Sequence, residues 1–253
     1  MPAPVTSPTE AALIEVFSSI QGEGLMVGCR QIFVRLAGCN LACAYCDTPF
    51  APTADCRVEK SPGSGTIRKM ANPVSLESLL TILQDWLRQM PGAHHSLSLT
   101  GGEPLLHGEL LKGWLPELTR LLPVHLETNG TLPEALAPLL PHLAFVSMDL
   151  KLASVTGFPT PWEIHRNFLE VARKMPGQAK AVVGPETTAG KIETAARLLR
   201  ETAPEWPLVL QALTIDGKVA VAGRNLLALQ AAAARIHPSV RVIPQTHRLL
   251  GVL

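Results

Sequence analysis

Short alternations of apolar and polar residues recur along the chain, separated by longer segments in which the apolar positions repeat at helical spacing. "LIEVF" and "IFVRLAG" predict two strands near the N-terminus, and a cysteine-bearing loop follows the second. Residues 51–75, rich in proline, glycine and serine, predict a mobile insertion. Leu76, Leu79, Leu80, Leu83 and Leu87 then mark one face of a helix that Ser75 is suited to cap. Beyond it, strands are predicted at "SLSLT", "VHLET", "AFVSMDL", "KAVV", "LVLQAL" and "VRVIPQ". They alternate with helices over 109–122, 132–140 (broken by prolines), 162–174, 192–201 and 225–236. About six such alternations favour parallel strands joined by crossovers. No solenoid period and no second domain are visible, so 1–253 is read as one domain.

Periodicity alone leaves open a doubly wound sheet or a barrel of βα units. The placement of unusual residues favours the barrel. The cysteine loop, "TGGEP", "ETNG", "SMDLK", "VVGPET" and "QAL" each fall at or just past the C-terminal end of a strand, the face on which barrels carry chemistry.

Composition narrows the setting. The chain has 253 residues, of which 47% are hydrophobic and 17% charged, yet no apolar run reaches the roughly 18 residues of a membrane span. The first residues, "MPAPVTSPTEAAL", lack a basic segment and a long apolar core, so a cytoplasmic protein with no membrane partner is expected. Lys and Arg total 22 against 21 Asp and Glu, scattered rather than striped, which gives no footprint for nucleic acid.

Three of the five cysteines, Cys39, Cys43 and Cys46, lie in a C-x3-C-x2-C spacing. An odd number of cysteines with three clustered makes a poor disulfide framework and points to metal. Cys29 and Cys56 read as small packing residues or exposed bystanders. One alternative is a zinc site, whose fourth ligand would have to come from Cys29, Cys56 or one of the eight histidines. The other is a 4Fe–4S cluster on three thiolates, with one iron open for chemistry.

At this point the residues resemble a known family. C-x3-C-x-Tyr-C, with Tyr45 before the last cysteine, is similar to the cluster loop of radical S-adenosylmethionine (SAM) enzymes, and "TGGEP" at 100–104 to their GGE motif. Taken alone, "TGGEP" is equally a Gly-Gly turn before a Glu-Pro helix start. "FSSIQGEGLMVGCRQIFVRLAGCNLACAYCDTPF" and the ending "RVIPQTHRLLG" further resemble the 7-carboxy-7-deazaguanine synthase (QueE) family.

The resemblance implies a shortened (β/α)6 barrel with mostly parallel strands, usually dimeric. It also implies a 4Fe–4S cluster, SAM, Mg²⁺ and a reductant such as flavodoxin or ferredoxin. The implied reaction converts 6-carboxy-5,6,7,8-tetrahydropterin to 7-carboxy-7-deazaguanine with loss of ammonia, started by hydrogen abstraction from C6 by a 5′-deoxyadenosyl radical and regenerating SAM.

Residue by residue, the resemblance assigns the cluster to Cys39, Cys43 and Cys46, and Mg²⁺ to Thr48. It gives cofactor contacts to Tyr45, Asp47, Gly101, Gly102, Glu103, Ser147, Met148 and Asp149. Glu103 is expected to accept from the methionine amino group. Substrate contacts fall to Ile20, Gln21 and Gly22, whose backbone is expected to read a pterin edge, and to Arg35, Thr100 and the C-terminal Leu253. Arg35, a planar fork within an apolar strand, suits a carboxylate. Glu127 and Asn129 stand at the neighbouring strand end, and "KAVVGPET" is expected to approach the adenine. Two further readings stay open on the residues: a radical activase acting on a partner protein, and a zinc-stabilised binding module.

Overall fold

The computed structural model describes residues 9–252. Its main sheet has ten strands, β1 (Leu13–Ile20), β2 (Arg30–Leu36), β3 (Asp55–Glu59), β4 (Ile67–Ala71), β5 (Ser96–Gly101), β6 (Val124–Thr128), β7 (Phe145–Leu150), β8 (Gly177–Val183), β9 (Leu208–Ala212) and β10 (Val240–Val242). Their spatial order is β10-β9-β8-β7-β6-β5-β2-β1-β3-β4. From β10 to β2 every neighbouring pair is parallel, and β1 runs antiparallel to β2. The sheet does not close on itself, so it is the shortened, mostly parallel barrel that the sequence implies.

Crossover helices α1 (Leu76–Gln89), α2 (Gly108–Leu118), α3 (Pro133–Leu136), α4 (Trp162–Ala172), α5 (Ala189–Thr202) and α6 (Gly223–Ala234) connect the parallel strands. Ser75 caps α1 as expected, its hydroxyl accepting from Ser78 N–H at 3.2 Å. α2 ends at Leu118, four residues before its predicted limit. No helix among the described residues is long and apolar enough to cross a membrane.

Alternation along the strands sorts the side chains into two environments. Ile32, Val34, Leu97, Leu99, Leu126, Val146, Met148, Ala179, Ala181 and Leu210 face outward into one hydrophobic core against the helices. Their neighbours face the concave side, and these are largely polar. Gln31 donates to Ser96 Oγ (2.7 Å) and to His125 Nδ1 (3.2 Å), His125 Nε2–H reaches Ser147 Oγ (2.8 Å), and Gln178 donates to the same hydroxyl (2.7 Å). One side chain per strand therefore links β2, β5, β6, β7 and β8 across the interior. Burial holds the His125 pKa below the usual histidine range, in keeping with the neutral ring this row needs.

Residues 51–75, where composition predicts a mobile insertion, instead contain the β3–β4 hairpin, which extends the sheet beside β1. Cys56 and Val58 alternate with exposed Arg57 and are fully buried. The hairpin's anchor is Glu59, 1% exposed, whose carboxylate accepts from Ser18 N–H (3.0 Å), Gly63 N–H (2.9 Å) and Gly65 N–H (2.6 Å). A local pattern of turn residues hides this, because the partner that turns the stretch into strands is a distant element.

Glu59→Ala would strip one acceptor from three backbone donors, at a cost of about 2–4 kcal/mol. Hydrogen exchange is expected to speed up at Ser18, Gly63 and Gly65 while the amides of β6 to β8 hold; equal protection throughout would contradict the anchoring role.

Candidate active site

The loop between β2 and β3 carries the three predicted thiols, and contacts on several sides fix its shape. Gly38 N–H bonds to Phe50 O at 2.7 Å, and Ala44 N–H to Thr156 O at 2.9 Å. Asn129 donates to Asn40 Oδ1 (2.8 Å), and Asn40 donates to Thr131 Oγ1 (2.9 Å). From below, "TGGEP" presses against the loop's base, with Glu103 N–H on Gly38 O at 2.8 Å. A Cβ at Gly101, whose φ is +146°, would lie 2.1 Å from Leu36 O, and one at Gly102 would lie 2.0 Å from Gly38 O. The two glycines thus permit the chain's own close approach.

Cys39, Cys43 and Cys46 are free thiols lining one chamber at the C-terminal ends of the strands. Burial pushes the pKa of Cys39 and Cys43 up, against a lowering effect of the Lys151 cation. Three free thiols on one loop, all lining one chamber, fit the three protein ligands of a 4Fe–4S cluster.

Beside them, Arg35 projects from β2. Glu15 holds its Nε at 2.9 Å and the Phe17 ring lies 6.0 Å below, while Nη1 stands 3.5 Å from Thr48 Oγ1. Thr48 Oγ1 is also 3.5 Å from Asp47 Oδ1, so this hydroxyl is only loosely engaged, which suits a hard cation. Phe17 and Phe33 stack at 4.9 Å and both line the chamber.

Four charged side chains cross the floor in alternating sign. Glu23 pairs with Lys180, Lys180 with Asp149 Oδ1 (3.2 Å), and Asp149 Oδ2 with Lys151 (2.6 Å), whose amine also donates to Tyr45 OH (3.0 Å). Burial alone would raise the pKa of Asp149 and Glu23, but the lysines more than offset it and hold both carboxyls low. Burial opposes the lysine charges too, yet their carboxylate partners hold the Lys151 and Lys180 pKa above the usual lysine range. All four stay ionised because each buried charge has a partner of opposite sign.

The chain after β10 then crosses the mouth. Gln245 donates to Glu23 Oε1 (2.9 Å), Thr246 N–H to Gly22 O (2.8 Å), and Arg248 pairs with Asp47 of the cysteine loop. Gly22 is needed for this closure, since a Cβ there would lie 2.1 Å from His247 Nδ1.

Of the residues expected in the site, Ile20, Gln21, Gly22, Arg35, the three cysteines, Tyr45, Asp47, Thr48, Thr100, Gly101, Gly102, Ser147 and Asp149 line this chamber. Glu127 and Asn129 join them. Three expectations change. The Glu103 carboxylate is fully buried and accepts from Thr128 Oγ1 (2.7 Å), Asn129 N–H (2.7 Å) and Leu105 N–H (3.0 Å). It braces the neighbouring strand end and does not line the chamber. Met148, between inward-facing Ser147 and Asp149, points outward into the core, where a Cβ on Gly130 would meet its Cε at 2.6 Å. Gln21 N–H and C=O already bond to Cys29 O (2.8 Å) and Gly28 N–H (3.0 Å), so its backbone closes the turn. Its side chain instead bridges Gln31 Oε1 (3.0 Å) and Glu127 Oε1 (2.8 Å). Leu253 lies outside the described residues.

Reading the motifs missed Phe17, Phe33, Glu23, Lys151 and Gln211. Gln211 lines the chamber with an Oε1 that has no partner among the described residues. Period-two alternation marks Lys180 and Gln211 as inward-facing once the outward positions are known. Nothing local marks the pairing of Lys151 with Tyr45, 106 residues apart.

A protein-family model described as the radical SAM superfamily matches residues 34–199. A Geobacter sulfurreducens protein named 7-carboxy-7-deazaguanine synthase is 44% identical over 96% of this chain and 98% of its own length. A Methanothermobacter thermautotrophicus protein of the same name is 36% identical, covering 96% and 98%. The crystal structure of QueE from Escherichia coli overlays with a TM-score of 0.58 at 23% identity, covering 94% of this chain and 95% of that one. Streptococcus suis SuiB bound to S-adenosylmethionine overlays at 0.53 and 15%, covering 81% and 44%. At those identities the two overlays speak for the fold.

Two outcomes test the geometry. Gly102→Ala is expected to keep the far-ultraviolet spectrum but to take up well under half the wild-type iron and sulfide on anaerobic reconstitution. His165 is a buried peg whose Nε2 accepts Lys151 N–H (3.0 Å) and whose Nδ1–H faces Gly130 O (3.1 Å); burial holds its pKa at about 4. Its neutral form is the one the fold binds, so its contribution is full above the unfolded value near 6.5 and is lost as pH falls from there to about 4. His165→Gln, which can supply both bonds, is expected to flatten that part of the stability profile by on the order of 3 kcal/mol, read by denaturant unfolding at stepped pH.

Proposed function

The chain belongs to the radical SAM superfamily and, within it, to the 7-carboxy-7-deazaguanine synthase family, and from that premise we propose how its own residues carry the family's reaction. The enzyme converts 6-carboxy-5,6,7,8-tetrahydropterin to 7-carboxy-7-deazaguanine with release of ammonia, a step in queuosine and 7-deazapurine biosynthesis, using a 4Fe–4S cluster, SAM and Mg²⁺. The observation that carries this reading is a single chamber holding three free thiols of a C-x3-C-x2-C loop together with a guanidinium steered by Glu15.

When bound and reduced by one electron, the cluster with SAM supplies a deoxyadenosyl radical that takes hydrogen from the substrate and later returns it. Cys39, Cys43 and Cys46 hold the cluster, leaving one iron for SAM. Gly101, Gly102, Ser147 and Asp149 line the part of the chamber suited to SAM, and Gln211 offers it an unpaired acceptor. With Nε taken by Glu15 and Nη1 only loosely engaged by Thr48, Arg35 turns its Nη edge to the substrate carboxylate. Thr48, next to that carboxylate, supplies a hydroxyl to Mg²⁺. The stacked rings of Phe17 and Phe33 give an apolar wall for a flat bicyclic ligand. Both hydrogen bonds to Glu127, from Gln21 and from Ser98 at 2.5 Å, reach Oε1, so Oε2 is the oxygen left for a proton at the pterin. The tail from Gln245 to Arg248 shuts water out of the mouth.

The electron enters from a carrier such as flavodoxin or ferredoxin, a reading supported by the exposure of Ala42 and Ala44, which flank Cys43 on the cysteine loop. A homodimer is inferred from the family. The cytoplasm suits five free cysteines and a reduced cluster.

The test is anaerobic: reconstituted, reduced protein with SAM, Mg²⁺ and carboxytetrahydropterin is expected to yield 7-carboxy-7-deazaguanine and ammonia with many turnovers per SAM. No product from protein carrying a full cluster would sink the assignment. Arg35→Leu is expected to cut kcat/KM by about 10²–10³, mainly through KM, as fits a lost charged hydrogen-bond pair of ~3–4 kcal/mol.

A further inference from the structure

The floor's row of charges has direction. Glu23, its negative end, meets the QGEG turn and the tail; Lys151, its positive end, meets the cysteine loop. The Lys151 amine lies 3.0 Å from the hydroxyl of Tyr45 and 5.4 Å from the centre of its ring, and Tyr45 stands between Cys43 and Cys46. Its side chain is 10% exposed. The backbone N–H of Lys151 donates to the neutral His165 ring, and Asp149 and Tyr45 hold its ammonium.

A tether for Tyr45 does not need a cation, since a neutral amide could donate to the same phenol oxygen. A buried ammonium, in contrast, acts on whatever charge the loop carries. Three thiolates around a 2+ core leave one net negative charge, and one-electron reduction makes it two. A fixed positive charge against the tyrosine that separates two of the ligands, in a poorly screened interior, favours the more negative state. Asp149 offsets part of the Lys151 charge, but Lys180 takes up Asp149 from the other side.

We infer that Lys151 is a potential-setting residue, which makes the cluster easier to reduce and so eases entry of the electron that primes the enzyme, an electron the cluster recovers whenever SAM is re-formed. This rests on the cluster reading above but not on the identity of the substrate.

The experiment is a potentiometric titration of reconstituted protein, followed by electron paramagnetic resonance without SAM or substrate. Lys151→Gln is expected to lower the ratio of reduced to oxidised cluster about tenfold at a fixed solution potential, a shift of about 59 mV to the negative for one electron. Lys151→Arg should titrate with the wild type, and Tyr45→Phe should too, because it removes the hydrogen bond and keeps the charge. Asp149→Asn should move the potential in the opposite direction, and it carries the test if the Gln variant fails to hold a cluster. An unmoved potential in Lys151→Gln or in Asp149→Asn, or a shift in Tyr45→Phe as large as in Lys151→Gln, would overturn the inference. Wild-type protein that takes up no iron and sulfide would overturn the cluster reading and this one with it.

Discussion

Polar side chains on the concave face of a curved parallel sheet have few partners except one another. The helices cover the outer face with leucine, valine and alanine, which satisfies the hydrophobic effect but leaves the inner face to be settled by hydrogen bonds. The solution here is a ladder in which Gln31 donates to Ser96 and His125, and His125 and Gln178 both donate to Ser147. Above it, nearer the mouth, the same inward positions become charged: Arg35, Glu127, Asp149 and Lys180. Chemistry and stability are therefore successive layers of one set of side chains, and the register that pairs the strands also sets the spacing of the site.

That layering explains which parts of the molecule could be read in the sequence. Elements set by local period were legible, as with Leu79 and Leu83 on α1 and the Ser75 cap. The cysteine loop stood out by its spacing and Arg35 as a cation within an apolar strand, whereas Thr48 was pointed to only by the family resemblance. The hairpin over 55–71 was not, because Glu59 closes it by reaching Ser18, 41 residues away. Glu103 and Met148 fell on the wrong side of the line for a related reason: a motif fixes the identity of neighbours, whereas pleat and burial decide which of them face the ligand. Glu103 turned inward to Thr128 and Asn129, and Met148 pointed away between two residues that line the chamber.

The cysteine loop itself contains almost no regular structure, yet it is held by β5, by the turn after β6, by residues near 156 and by the C-terminal segment. Such a loop keeps its shape through neighbours from distant parts of the chain, which is what a group with several metal–sulfur bonds at fixed angles needs. The cost appears as glycine: at 22, 101 and 102 any side chain would collide with another part of the site.

The hairpin has a second consequence, for the protein before it is loaded. Without β3 and β4, the long strand β1 would end the sheet and offer its unpaired backbone to any neighbour. With them, the edge is a five-residue strand carrying exposed Arg68 and Lys69, and the opposite edge is only the three residues of β10. Short, charged edges discourage strand addition between molecules. A chain that must wait for iron and sulfide before it can work is thus shielded, while empty, from fibrillar or amorphous self-association.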